Sequence, residues 1–396
     1  MRNLFYLYAT LIGFPVIGYM LRRVMPKYAI SYAHQFVTFV AMPFLIITSV
    51  SASHFIGDLW LAPLISIIAI AVGGILGLIA IDISKINENI RTLLYSNKLI
   101  NVLDANAYHR QSIVAKSPNQ SSRIPKQKSS TKNSSKQTSW YPDLQSNFLI
   151  AATTSNGGYI AFPIILLLLD HNHYQYFAIT VIYDLCSAAI GGYVLLKILD
   201  KSFYKLPHSQ TNALGLDNDR INHAYFPIRA VNNMVGILKK IDFNCDFRKI
   251  IDTFVSGKSK IILSSLLIGI ILSIFIRNGL PNIILQTKSL MIYLYLIAIG
   301  MQINLSKYKF YPSQITSCLI IKMLLIPIVI AAFLAFLETD KLIATTILIM
   351  VSMPPLLIDH QVCKEHGLAV EFQVGCHSTG LVLLGLTVPL WITLFS

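Results

Sequence analysis

ThrThrSerAsnGlyGlyTyrIleAlaPhePro, residues 153–163, and MetValSerMetProProLeuLeuIleAspHis, residues 350–360, decide how this chain folds. Each stretch interrupts a long apolar run about ten residues after it begins. At about 1.5 Å per residue that is about 15 Å into a helix, the midplane of a bilayer. In the first stretch Gly157 and Gly158 weaken a helix by about 1 kcal/mol each, and Pro163 removes a backbone donor. Asn156 is suited to cap a helix that restarts after the gap. In the second, Pro354 and Pro355 remove two adjacent donors, and Met353 is turned away from helical geometry by the proline after it. Backbone groups freed at that depth are tolerated only where they face protein, water or a ligand. A kinked membrane helix is the plain alternative for either stretch alone. Two such stretches in matching positions point instead to a transport site, with half-helix N-termini that favour an anion.

The rest of the chain supplies the frame. Its 396 residues are 54% apolar and 13% charged, with a mean hydropathy of +0.61. Soluble domains carry about 25% charged residues, so an ordinary water-soluble enzyme is excluded. Apolar segments long enough for about 30 Å of hydrocarbon fall at 3–21, 30–51, 60–82, 147–169 and 174–196, then at 259–276, 287–305, 312–336, 341–361 and 372–395. The expectation is an all-α polytopic membrane protein. Its ten spans form two inverted five-helix repeats, with spans 4 and 9 broken and crossing. The first span reads as retained rather than as a cleavable signal, because Arg22 and Arg23 follow a long apolar run with no small-x-small cleavage site.

Polar stretches divide the chain further. Residues 1–82 hold spans 1–3, and 83–146 form an insertion that is Ser/Lys-rich from Ser117 to Lys136 and expected to be largely disordered. Spans 4 and 5 occupy 147–196, a linker 197–258, and spans 6–10 residues 259–396. Lys and Arg number twenty-seven in the odd-numbered connections, against four in the even ones and the N-terminus. That bias puts the long loops in the cytoplasm and both termini outside, in the plasma (inner) membrane if the source is prokaryotic. The net charge of +14 is thereby accounted for without nucleic acid, for which no aromatic–basic motif is present. Cys186, Cys245, Cys318, Cys363 and Cys376 form no CxxC pair and suggest neither a disulfide scaffold nor a zinc finger.

At the two interruptions the sequence resembles the auxin efflux carrier family of membrane transporters. AsnGlyGlyTyrIleAlaPhePro (156–163) is similar to that family's span-four motif. MetProProLeuLeuIleAspHisGlnValCysLysGluHisGly (353–367) is similar to its span-nine segment. ThrValProLeuTrp (387–391), AlaIleGlyMetGlnIle (298–303) and IleGlyTyrMetLeuArgArg (17–23) resemble the ends of spans ten, seven and one. The resemblance implies the crossed ten-helix fold and transport of a small organic anion. It implies a binding site at Asn156 and Pro354, to which Ser155, Gly157, Gly158, Pro163 and Pro355 are added by position. The long insertion and Asp359 depart from the family's pattern.

Asp184, Lys322 and Asp359 are ionisable residues within the expected spans that call for a partner or a role. Asp184 and Lys322 each lie about ten residues in, where an uncompensated charge costs about 2.5–3.5 kcal/mol. They read as a structural ion pair, or as a proton acceptor and an attractor of the anionic substrate. Asp359 follows the Pro354–Pro355 break and reads as a cap or as a coupling residue. Asp359, His360, Cys363, His366, Cys376 and His377 are dense in donor atoms but match no metal-binding spacing, so no metal is assigned. His34 is expected at the membrane interface.

The expectation is therefore a secondary transporter for a carboxylate, with a proton or sodium as the candidate coupling ion and no cofactor. Lipid surrounds it, and a homodimer is compatible. A bile-acid-type sodium symporter is the nearest alternative, and a channel or an intramembrane enzyme the alternative of another class. No catalytic motif is present.

Overall fold

A computed structural model of the chain describes residues 4–51, 57–84, 142–169, 176–199, 257–275, 282–356, 363 and 368–395. The Ser/Lys-rich insertion, most of the 197–258 linker and Asp359 lie outside the described residues. The chain divides into two units, Met1–Leu78 with Pro142–Ser396, and Ile79–Tyr141. The helices below belong to the first, apart from the last turns of the third helix.

Every described element is a helix, turn or connection, as the apolar runs predict. In chain order they are α1 (Leu4–Val24), α2 (Tyr28–Ser51), α3 (Leu61–Ser84), α4 (Pro142–Thr153), α5 (Gly157–Leu168), α6 (Phe177–Leu199), α7 (Gly257–Phe275), α8 (Asn282–Met301), α9 (Pro312–Phe336), α10 (Lys341–Val351) and α11 (Val370–Phe395). Large apolar side chains such as Ile274, Phe336 and Leu386 face outward, as lipid requires and water does not. α4 starts five residues before the expected boundary at 147, because Pro142 is preset for the first turn of a helix.

The count of ten crossings is corrected. Among the described residues five helices are long and apolar enough to cross a membrane: α2, α3, Gln286–Phe310 across α8, α9 and α11. The pair α4 and α5, bent by 52°, makes a sixth if taken as one span. The other expected segments hold helices as well: α1 of 21 residues, α6 with the apolar stretch Phe177–Gly192, α7 with the apolar stretch Lys260–Ile274, and α10 of 11 residues. α10 stops after 11 residues because the break at Ser352–Leu356 ends it, so it covers about half of the hydrocarbon. The result is an all-α membrane protein with five or six helices, among the described residues, long and apolar enough to cross. Lys288, placed by sequence in an outer connection, lies instead inside α8 and is buried.

Three helices widen into a π turn just ahead of a proline. The turns are Val37–Ala41 before Pro43, Gly157–Ala161 before Pro163 and Ile321–Leu325 before Pro327. A proline ring clashes with the carbonyl four residues back and supplies no N–H to it. One wider turn moves that carbonyl aside while the helix continues.

The largest helix–helix interfaces are α1 with α8 and α2 with α7. Both are drawn tight by glycine. A Cβ on Gly18 would overlap the carbonyl of Ile297, and one on Gly300 the carbonyl of Pro15, so the backbones of α1 and α8 touch directly. On the other interface a Cβ on Gly269 would come within 2.9 Å of Val50. Small residues allow such approach where no hydrophobic effect drives helices together. Arg22, at the end of α1, donates to the Ile303 carbonyl and so caps the far end of α8.

Gly300→Val is expected to destabilise the protein by about 1–3 kcal/mol, since the rigid backbone of Pro15 cannot yield. Gly13→Ala meets nothing within 4 Å and is expected to be neutral or slightly stabilising. Thermal unfolding in detergent of the two variants beside the parent checks the contrast.

Candidate functional site

The two interrupted segments meet. α4 ends at Thr153 and α10 at Val351, and the gaps that follow are joined by a main-chain hydrogen bond from Asn156 N–H to the Pro354 carbonyl, 3.0 Å. Ser155 adds a second tie, its hydroxyl donating to the Met350 carbonyl at 3.3 Å. Ser155 and Asn156 therefore lie against Pro354 although about 200 residues separate them in sequence.

The polar residues of the first gap divide their work. Thr153 and Thr154 turn their hydroxyls back onto the carbonyls of Leu149 and Ile150 and close the end of α4. They are thus used up by the helix. Asn156 is 9% exposed and stands at the head of α5, but its side chain makes no capping hydrogen bond there. The expected cap is supplied from elsewhere: Asp184, on α6, accepts the Gly158 N–H. Its carboxylate lies flush on the glycines, with Oδ1 3.1 Å from where a Gly157 Cβ would stand. A Cβ on Gly158 would overlap the carboxylate, which explains two consecutive glycines at this point. Pro163 is not at the gap; it sits in the helical part of α5, behind the π turn it provokes.

The second gap is satisfied from α11. His377 Nδ1 approaches the Pro355 carbonyl at 3.0 Å, and because a carbonyl only accepts, Nδ1 carries the hydrogen. The other ring nitrogen faces Gln302 Oε1 at 3.4 Å. His377 is 1% exposed. Gly380, one turn further along α11, lets the helix come close to Pro354; its Cβ would stand 2.5 Å from the proline ring.

Aromatic residues close the site on α5's other side. Tyr159 packs on His34 of α2, ring centroids 5.0 Å apart, and on Tyr295 of α8, 5.3 Å apart. His34 Nδ1 lies 3.3 Å from the Thr38 hydroxyl. His34 thus packs against Tyr159 near the head of α5. The Tyr295 hydroxyl is buried with no hydrogen-bond partner.

The expected pair of Asp184 with Lys322 does not form. Lys322 is 1% exposed in the π turn of α9, which packs on α4 and α11, whereas Asp184 is engaged by Gly158 on α5. Among the described residues no three of His, Cys, Asp or Glu gather as metal ligands. Asp359, His360 and His366 of the donor-rich stretch lie outside them. Beside the site runs an apolar cavity of about 210 Å³, lined by Leu11, Pro15, Ile160, Ile164, Ile299 and Leu381 among others. Ile12, Val16 and Val382 on its wall are about half exposed, so it opens toward lipid and is a groove of the outer surface rather than the solute seat.

Sequence reasoning singled out the gaps and Asp184 but missed His34, Tyr159, Tyr295 and Gln302, and weighed His377 only as a metal ligand. Gln302 stands in the quoted AlaIleGlyMetGlnIle motif, and His377 lies between Gly375 and Gly380 on a helix that must approach closely. His34 and Thr38 are spaced one helical turn apart, Thr38 buried and His34 half-buried.

His377→Phe is expected to cost about 1–3 kcal/mol, because it keeps the volume but removes the donor to the Pro355 carbonyl. His377→Asn, which retains a short donor, is expected to recover part of that loss. Chemical or thermal unfolding in detergent compares the two.

Comparison with protein-family models and with curated proteins gives no match to this chain, so its function is to be sought in the geometry of the crossing itself.

Proposed function

We propose that the protein is a secondary transporter of a small organic anion, binding its solute where the α4–α5 gap crosses the gap after α10. The carrying observation is the state of Asn156. Its backbone is fixed by Pro354, it is buried, and the capping duty that would occupy its side chain is performed by Asp184. A positioned carboxamide with both donor and acceptor at the crossing of two broken helices is suited to hold a polar solute group.

In this proposal the helices form two five-segment inverted repeats. The contact pattern supports it. If α1, α2, α3, α4–α5 and α6 correspond to α7, α8, α9, α10 with its continuation, and α11, then α1–α8 contacts become α7–α2, the other large interface. Likewise α4–α6 becomes α10–α11, α10–α6 becomes α11–α4, and α6–α7 becomes α11–α1; all of these pairs are in contact. An exchange of halves that maps contacts onto contacts is what an inverted repeat produces. In this arrangement odd-numbered connections face the cytoplasm and one bundle rocks against the other around the crossing. The likeness of the quoted motifs to the auxin efflux carriers points the same way, toward a carboxylate cargo.

Asn156→Ala is expected to lower the flux of a carried carboxylate at least tenfold in reconstituted vesicles, without loss of folded, monodisperse protein. Asn156→Gln, which keeps the amide but moves it by one methylene, is expected to raise the half-saturating concentration. Unchanged kinetics in both variants would remove the crossing from the transport path. Flux that stays linear in solute concentration would favour a channel.

A further inference from the structure

The proposed anion seat at the start of α5 is already occupied by a side chain of the protein. We propose that Asp184 is a resident carboxylate holding that seat, and that it takes up one proton for each organic anion bound, so that cargo and proton enter the site together without net charge. This rests on the transporter reading and extends it to the co-substrate.

The seat is built for a carboxylate. Gly157 and Gly158 present bare backbone at the head of a π turn of 5 residues that runs into a helix of 7. The Gly158 N–H is the donor Asp184 takes, while Asn156 N–H goes to Pro354. The carboxylate is 8% exposed and has no lysine or arginine against it among the described residues. Tyr183 precedes it on α6, and Tyr159, one residue beyond the Gly158 N–H that it accepts, packs its ring on Tyr295 of α8 at 5.3 Å between centroids. Of the other elements that pack on α6, Met42–Ser51 of α2 contains no ionisable side chain; α4 carries Asp143, α7 carries Lys258 and Lys260, α10 carries Lys341, each in the first turn of its helix, and the turn Gly57–Trp60 carries Asp58. The Tyr295 hydroxyl is fully buried and unpartnered, a donor left over next to this seat.

A second carboxylate brought within about 4 Å of the first would bind roughly a thousandfold more weakly if both stayed ionised. One proton removes that penalty. A protonated Asp184 keeps a carbonyl oxygen for the Gly158 N–H and gains an O–H that can donate to the incoming anion, as in other carboxyl pairs that share a proton. The proton comes from the aqueous side with the cargo, resides on Asp184 Oδ, and leaves when the cargo leaves. No bond other than O–H forms or breaks. The Asn156 amide and the Tyr295 hydroxyl remain as further donors to the cargo.

The test uses the purified full-length protein with acetate, benzoate and malate as probes, from mildly acidic to mildly alkaline pH. The expected result is an affinity that falls about tenfold per pH unit on the alkaline side. Uptake of one proton per bound anion is expected in weakly buffered solution. Asp184→Asn, which keeps an oxygen for Gly158 but no charge, is expected to bind the same probe with no such slope and no proton uptake. An unchanged slope in Asp184→Asn, or binding to the unmodified protein without proton uptake, overturns the proposal and leaves the transporter reading standing. If the variant does not fold, the proton count on the unmodified protein decides. Failure of every probe to bind either protein at any pH overturns both.

Discussion

A main-chain amide in hydrocarbon must find a partner inside the protein, and the centre of this molecule is arranged around that demand. α4 and α10 stop half-way through the bundle and leave donors and acceptors exposed at a depth where no water compensates them. The bond from Asn156 to Pro354 satisfies one group from each gap with the other. Asp184 covers a second donor and His377 a second acceptor, each from the helix that packs behind the opposite rim. Buried polar residues also occur elsewhere, Lys288 and Lys322 among them, but Asn156, Asp184 and His377 share one location. They surround the place where the ladder of helical hydrogen bonds is interrupted.

How much of this was legible in the sequence follows from which forces act locally. Glycine and proline act on their own backbone, so the gaps at 154–156 and 352–356 could be read from GlyGly and ProPro directly. Apolar runs likewise marked where helices lie. Their lengths were less legible, because the same breakers that mark the gaps shorten α10 and divide α4 from α5, and composition does not say where a run loses its helical hydrogen bonds. The partner of Asp184 was misread for a related reason. Charge at equal depth suggested Lys322, but depth says nothing of azimuth, and α9 presents that lysine to α4 and α11. An N–H dipole at a glycine has no signature as a titratable partner in the sequence, yet it is what the carboxylate found.

The residues that sequence reasoning overlooked share a property. His34, Tyr159 and Tyr295 come from three separate helices and Gln302 from the turn that ends the third, and none stands out among its neighbours in the chain. Only the tight packing at Gly18, Gly300 and Gly269 brings their helices to the same place, and that packing depends on long-range contacts no local pattern encodes. The glycines themselves were visible; which backbone each one admits was not.

The pairing of α1 with α8 and of α2 with α7 has a further implication. Neither half of the chain keeps its own first helices to itself: each lends them to the other, as two hands with fingers interlaced. The halves are therefore not independent modules, and a fragment holding only the first would leave the α1 face at Gly18 and the α2 face at Val50 without the backbones they pack on. Assembly of this protein has to wait for its second half.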